Sequence, residues 1–465
     1  MDTIHFETLG CKLNQIETES LAHAFSEAGF SIDEGKPDDG NMDAGHDTET
    51  DELSERIDLC VINTCTVTGK AEQKARRLIR LLLAKYPAAH ILVTGCYAEV
   101  EGTAIAAIDP RIIVFPGSRK GELAELPEYI KARQLLHPEE PVFVALTAFT
   151  NRTDRVMATD SDTFRLSTDN FLFHSRASIK IQDGCDNKCS YCRIRLARGK
   201  AVSLESAEVI DRVQKIENAG WGEVILAGVN LSQYRSAEGN FADLLARILK
   251  ETSTIAVRIS SLYPERIDEE ILPMLAEKRV RPHFHLSVQS GSDRILESMR
   301  RPYNRETVFR AAERLRSVKE NPFLACDIIT GYPGETDGDF ALTLDLCEII
   351  GFAWIHAFPF SPRPLTEAWG MKPRIPERIA GERVALLTDL AKKNHEKYIS
   401  GWIGRELDAI VESDPKGKHV SILTENYIPA HLSISKNPSE SIIGPSRGSS
   451  IKVLLETDRT ARYIV

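Results

Sequence analysis

Three cysteines fall within eight residues in Asp183-Gly-Cys-Asp-Asn-Lys-Cys-Ser-Tyr-Cys192, at C-x3-C-x2-C spacing. Thiolates from Cys185, Cys189 and Cys192 on one loop can each hold an iron of a [4Fe-4S] cube and leave the fourth iron open to a small-molecule chelate. A zinc knuckle would need a fourth Cys or His close by, for which His174 is a candidate. A redox CxxC pair would have no use for Cys185. Three more cysteines are spread out: Cys11 in TLGCKLN, Cys65 in NTCTVT and Cys96 in TGCYA, with Gly10 and Gly95 allowing close backbone approach. By themselves these are either a second set of iron ligands or three small buried side chains, since free Cys is among the most buried residue types. Cys60, Cys326 and Cys347 lie inside apolar runs and are expected in the core.

Residues so far apart meet only if the chain's elements carry them to one edge. Ile4–Thr8, Leu59–Asn63, Ile91–Thr94 and Ile112–Phe115 are short β-branched runs separated by helix-spaced apolar patterns at 15–29 and 68–86. This βαβ series predicts a doubly wound parallel sheet, and an α/β class, over residues 1–135. Cys11, Cys65 and Cys96 then stand at the carboxyl ends of strands, where open α/β sheets collect ligands. The stretch 136–170 lacks clear periodicity and reads as a linker. From 171 to 400 a strand-helix period repeats six times, from Ser178–Gln182 to Trp354–Phe358. Its strands end in small or polar residues, among them Gly228, Asn230, Ser260 and Gln289. That pattern predicts a partial (β/α)6 barrel with its site above the strand ends, although ordinary turn residues would look the same. The tail, 401–465, shifts to short alternating runs expected of a small antiparallel β-barrel.

The chain has 465 residues, 42% of them hydrophobic and 27% charged, with a formal net charge of −10. That sign at first argues against a nucleic-acid partner. However, residues 33–58 alone contain eleven acidic and two basic residues, so the rest is close to neutral. This segment reads as a mobile acidic surface insertion. Basic clusters occur at Lys70, Lys74, Arg76, Arg77 and Arg80, and at Arg193, Arg195, Arg198 and Lys200. No run approaches the ~20 apolar residues that span a bilayer, and the start lacks a signal-peptide pattern. The expectation is a soluble cytoplasmic protein with no membrane partner. Nine cysteines in such a chain do not suggest a disulfide framework.

TLGCKLNQIETE, NTCTVT, TGCYA, IQDGCDNKCSYC, HLSVQSGSDRIL, DIITGYPGET and FPFSPRP stand in this order. Together they resemble the radical S-adenosylmethionine (SAM) methylthiotransferases over nearly the whole chain. TLGCKLN and NTCTVT are similar to the branch acting on N6-threonylcarbamoyladenosine beside the tRNA anticodon, at position 37. Branches acting on isopentenyladenosine of tRNA or on a ribosomal-protein aspartate are the alternatives. The resemblance implies a radical [4Fe-4S] cluster on Cys185, Cys189 and Cys192, and an auxiliary [4Fe-4S] cluster on Cys11, Cys65 and Cys96. It also implies that SAM chelates the open iron and yields a 5′-deoxyadenosyl radical on reductive cleavage. A second SAM methylates sulfur at the auxiliary cluster, and a methylthio group replaces hydrogen at C2 of the adenosine. Tyr191 would pack on the SAM adenine, with Gly228, Asn230, Ser260 and Gln289 around it. An external electron donor and a sulfur source are implied partners.

The resemblance further makes the tail a tRNA-binding TRAM domain, in which Tyr427 of Asn426-Tyr427 would stack on a base. Two departures stand out. Arg193 and Arg195 occupy the loop where the family usually has an apolar pair and Pro, and Leu365 stands where it tends to have Gly. The rival class is a non-catalytic RNA-binding protein whose cysteines hold zinc.

Overall fold

In the computed structural model, residues 3–34, 57–152, 160–413, 419–433 and 445–464 are described. They form two compact units, the first Met1–Phe173 with Asp183–Asp186 and Arg193–Lys200, the second His174–Gln182 with Asn187–Cys192 and Ala201–Val465. The cysteine loop is therefore divided, with Cys185 in the first unit and Cys189 and Cys192 in the second.

In the first unit, β1 (Thr3–Thr8), β2 (Ser31–Glu34), β3 (Ile57–Thr64), β4 (His90–Gly95) and β5 (Ile112–Val114) pair in the order β2-β1-β3-β4-β5. Every pair is parallel. Helices α1 (Lys12–Glu27), α2 (Gly69–Lys85) and α3 (Cys96–Ala106) make the crossovers. β3 is buried on both faces, which is why it reads as a continuous apolar run with Cys60 inside it. Thr8 pairs with Asn63 and Thr64 with Gly95, so the three central strands end level with one another. β2 was hidden in the acidic stretch: Asp33 belongs to this strand and accepts a 2.6 Å bond from His5 Nδ1. Of the rest of that stretch, Ile57 and Asp58 open β3, and 35–56 lie outside the described residues.

The expected linker at 136–170 is corrected by the structure over its described residues, and 153–159 lie outside them. After α4 (Leu126–Leu136) comes α5 (Val142–Thr150), whose Leu146 and Phe149 are buried with Phe115, Leu126 and Leu166 in the first unit's core. Val142, Ala145, Leu146 and Phe149 have helical spacing, but the polar residues after them obscure the pattern. The short helix α6 (Ile194–Arg198) also belongs to this unit.

The second unit holds β6 (Ala177–Lys180), β7 (Glu223–Ala227), β8 (Ala256–Ile259), β9 (His283–Gln289), β10 (Phe323–Thr330) and β11 (Trp354–Pro359). They form the parallel sheets β8-β7-β6 and β9-β10-β11, linked by bridges Val257–Val280 and Leu262–Leu286. α7 (Ser206–Asn218), α8 (Phe241–Glu251), α9 (Arg305–Val318) and α10 (Asp337–Ile350) alternate with them, and α11 (Glu377–Ser400) follows. Phe284, Leu286, Val288, Cys326 and Ile328 are buried, and strand alternation puts His285, Ser287 and Asp327 on the opposite face. No described helix is long and apolar enough to cross a membrane.

β12 (Glu406–Val411), β13 (His419–Thr424), β14 (Pro429–Ser433), β15 (Ser450–Leu455) and β16 (Thr460–Ile464) close into a barrel in the order β12-β13-β14-β16-β15. The last strand shows no clear alternation in sequence, and its pairing with β14 is parallel, so the barrel is not wholly antiparallel. Leu407, Val420, Ile422 and Val453 share one core with Phe323 and Ala325 of β10. Tyr427 is not a bare surface residue, because its ring is packed within the protein. Its ring lies 4.0 Å from that of His283, with the guanidinium of Arg258 5.2 Å from its centroid.

Candidate iron-sulfur centres

Each of the three level strand ends delivers one cysteine. Cys11 caps α1, Cys65 follows β3 and Cys96 opens α3. Gly10 and Gly95 hold φ of +109° and +95°, conformations that favour glycine. A Cβ at Gly10 would sit 2.5 Å from Cys65 Cβ, and one at Gly95 would sit 2.4 Å from Asn63 Oδ1. Asn14 ties the turns together, its Nδ2 donating to Leu9 O at 2.7 Å and Thr64 O at 3.0 Å.

Arg198 completes this edge. Its Nε donates to Cys96 Sγ at 3.2 Å, Nη2 to Asn14 Oδ1 at 2.6 Å, and Nη1 to both carboxylate oxygens of Asp183 at 2.9 Å. Glu17 lies 3.2 Å from the same Nη1 and 2.6 Å from Lys120 Nζ, so these buried charges are matched. Burial pushes the Cys65 thiol up to about 12, only partly opposed by the Val67 N–H on its sulfur. Burial also raises Cys96, against the lowering effect of Arg198. Such thiols stay protonated until a metal takes the proton's place. Small thiols in register beside a fixed guanidinium fit a cluster better than they fit free thiolate chemistry. Among the described residues no three His, Cys, Asp or Glu side chains are gathered tightly enough for one ion.

The other loop is pinned by a residue the sequence reading passed over. Ser190 is buried; its N–H donates to Met299 O at 3.2 Å, its Oγ to Ser298 O at 2.9 Å, and its carbonyl accepts from Ala368 N–H at 2.8 Å. Cys192 N–H donates to Cys189 O at 3.1 Å, making a tight turn around Tyr191. Cys185 N–H donates to Gly199 O at 3.2 Å in the first unit. Arg301 Nη1 donates to Cys189 Sγ at 3.3 Å and to Tyr191 Oη at 3.4 Å. No local pattern marks Arg301, Arg198 or Ser190 as site residues, because each acts on cysteines distant in sequence or through its backbone.

The four strand-end residues differ in what they do. Gly228 is close-packed, and a Cβ there would meet Leu231 at 2.6 Å. Asn230 caps a short 3-10 turn by accepting from Ser232 N–H, and Gln289 holds a left-handed φ of +70°. Ser260 Oγ has no hydrogen-bond partner among the described residues and faces a cavity of about 350 Å³ shared with His285, His356, Trp354 and Tyr427. None of the cysteines borders that cavity. Of the two arginines that depart from the family pattern, Arg193 is buried between Glu72 at 3.2 Å and Glu101 at 2.9 Å, while Arg195 is exposed.

Comparison with known proteins agrees with these features. Residues 179–347 match the radical SAM superfamily, and residues 39–117 match uncharacterized protein family UPF0004. A solved structure of the radical SAM methyltransferase TsrM from Kitasatospora setae has the same fold at TM-score 0.52 and 15% identity, over 79% of this chain and 77% of that one. Fold and cysteine loop thus define a radical SAM enzyme. The threonylcarbamoyladenosine tRNA methylthiotransferase MtaB of Treponema pallidum is 48% identical over 92% of this chain and 94% of its own. The corresponding protein of Aquifex aeolicus is 32% identical over 91% and 95%. A tRNA-2-methylthio-N(6)-dimethylallyladenosine synthase of Erythrobacter litoralis is 30% identical over 90% and 87%. The chain belongs to the MtaB family of methylthiotransferases.

Proposed function

We propose that this protein adds a methylthio group to C2 of N6-threonylcarbamoyladenosine at position 37 of tRNA. The observation that carries this reading is the pair of separate three-cysteine sets, Cys11/Cys65/Cys96 and Cys185/Cys189/Cys192, in a chain similar along 92% of its length to an MtaB protein. Each set would hold one [4Fe-4S] cluster. With SAM bound, the second supplies the one-electron chemistry that makes an unactivated C–H bond reactive. The chain's own residues do the positioning. Ser190 and Arg301 fix the Cys189–Cys192 turn, Asn14 and Arg198 fix the strand-end cysteines, and Tyr191 offers an aromatic face beside the third cysteine.

An external low-potential donor and a sulfur source complete the reaction in a cytoplasmic setting. Lys70, Lys74, Arg77 and Arg80 form one exposed stripe along α2 suited to tRNA phosphates, and the terminal barrel, in the manner of a TRAM domain, adds a second tRNA surface. The Cys11, Cys65 and Cys96 set lies in the first compact unit, and the radical and terminal barrels lie in the second, divided near residue 400 where α11 ends.

The test uses anaerobically reconstituted protein with tRNA carrying N6-threonylcarbamoyladenosine, a reductant and SAM, followed by mass spectrometry of the nucleosides. The 2-methylthio product is expected, together with about eight irons per chain falling to about four in a Cys185/Cys189/Cys192→Ala variant. Methylthiolation only of isopentenyladenosine would overturn the substrate assignment. Stoichiometric zinc with little iron would overturn the enzyme.

A further inference from the structure

Both cysteine sets have a buried guanidinium on a ligand sulfur, but the two guanidinium groups differ in what surrounds them. Arg198, on Cys96, is bonded to the Asp183 carboxylate and lies beside Glu17. Arg301, on Cys189, is 8% exposed, and among the described residues no carboxylate makes an ion pair with it; the buried Glu265 carboxyl feels its charge, but burial favours that carboxyl's neutral form. Its partners are neutral or sulfur. Nε donates to Tyr303 Oη at 2.7 Å, and Nη2 to Ser287 O at 3.2 Å. Nη1 reaches Cys189 Sγ, Tyr191 Oη and, at 3.5 Å, Tyr263 Oη. The rings of Tyr263 and Tyr303 lie 4.5 and 4.8 Å from its central carbon. Holding an unpaired cation out of water is costly unless an anion arrives to match it. The anion the geometry offers is the thiolate of Cys189.

We propose that Arg301 is the resident counter-charge of the cluster held by Cys185, Cys189 and Cys192 and sets its reduction potential, which rests on the function proposed above. Three thiolates on a 2+ cube carry a net charge of about −1, and one electron from an external low-potential donor makes it about −2 with no bond made or broken. A fixed positive charge at hydrogen-bond distance favours the more negative, reduced state. At the strand-end centre the same charge is matched by carboxylates, so the electron is steered to the radical cluster.

The test is an EPR-monitored redox titration of reconstituted wild type, Arg301→Gln and Arg301→Lys, with iron counted in each. In the glutamine variant the reduced-to-oxidised ratio of the radical cluster, read at the wild-type midpoint, should fall at least tenfold, 59 mV for a one-electron couple. The lysine variant, which keeps the charge, should stay within tenfold, and the auxiliary cluster should not move in either. An iron-loaded glutamine variant with an unmoved radical cluster would overturn the proposal, as would an equal shift of both clusters. If the glutamine variant loads no iron, the lysine variant decides, and a tenfold fall there overturns it. A wild type with no reducible cluster would overturn the proposed function and this inference together, whereas an unshifted variant beside a normal wild type overturns the inference alone.

Discussion

Leu365 holds φ at +66° with 78% of its surface exposed, so it bears the strain of a left-handed conformation without burying its side chain in return. Left-handed backbone costs an L-residue about 1–2 kcal/mol, partly offset in a Gly variant by the greater freedom of its unfolded chain. Leu365→Gly should therefore stabilise the second unit by roughly 0.5–1 kcal/mol, read as a higher urea midpoint; an unchanged or lower midpoint would contradict the strain argument. Gly10 is the opposite case. A methyl group there would strike Cys65 Cβ at 2.5 Å, with φ at +109°. Gly10→Ala should cut iron from about eight to about four per chain while sparing the radical cluster signal. Full iron content in that variant would separate Gly10 from the strand-end centre. The C-x3-C-x2-C spacing of Cys185, Cys189 and Cys192 was legible in sequence, whereas Cys11, Cys65 and Cys96 by themselves could equally have been small buried side chains. Arg301 and Arg198 were not legible, because a counter-charge can come from anywhere in the chain that folds back onto the sulfur.

At the scale of elements, β2 depends on a titratable contact. His5 on β1 is buried, with Nδ1 2.6 Å from Asp33 of β2 and Nε2 3.2 Å from Glu7. Burial alone would lower its pKa, but the bonds to Asp33 and Glu7 outweigh burial and leave it raised above 6.5. A raised folded pKa means that the protonated pair stabilises fully below about pH 6.5 and is lost as pH rises through the folded value. The amide protons of β2 should exchange faster as pH climbs through neutrality, beyond the intrinsic rate, and His5→Gln should remove that extra dependence. Equal pH profiles in the two proteins would show that the pair does not hold the strand. β2 was missed because its carboxylates look like part of the acidic insertion, and α5 because polar neighbours mask one apolar stripe. Both elements are settled by what they pack against.

For the whole second unit, the terminal barrel is part of the radical barrel's core rather than an appendage. Phe323 and Ala325 of β10 share one cluster with Val420, Ile422 and Val453, and Tyr427 lies against His283. Arg258 and Arg281 meet on the buried Glu223, and Arg281 also reaches Asp408 at 3.6 Å. Tyr427 is half-buried, so Tyr427→Ala should cost about 2 kcal/mol, below the 3–5 of a fully buried aromatic. Urea unfolding followed by tryptophan fluorescence would show it, since Trp354 and Trp402 belong to the same cluster. An unchanged midpoint together with weakened tRNA binding would return Tyr427 to the nucleic-acid surface.

The sequence by itself determined the class of sheet, the six central strands, the close spacing of Cys185, Cys189 and Cys192 and the family, because β-branched runs, helical periodicity and cysteine spacing are local properties. Tertiary structure alone decided that Cys11, Cys65 and Cys96 share one edge, since that follows from strand register. It also decided that residues 142–150 pack in a core rather than span a gap, and that the Tyr427 ring packs on His283. Finally, it showed that of two buried arginines on cysteine sulfur one is ion-paired with carboxylates and the other, among the described residues, is not. Charge balance in a low-dielectric interior depends on which side chains meet there, and no stretch of sequence contains that information.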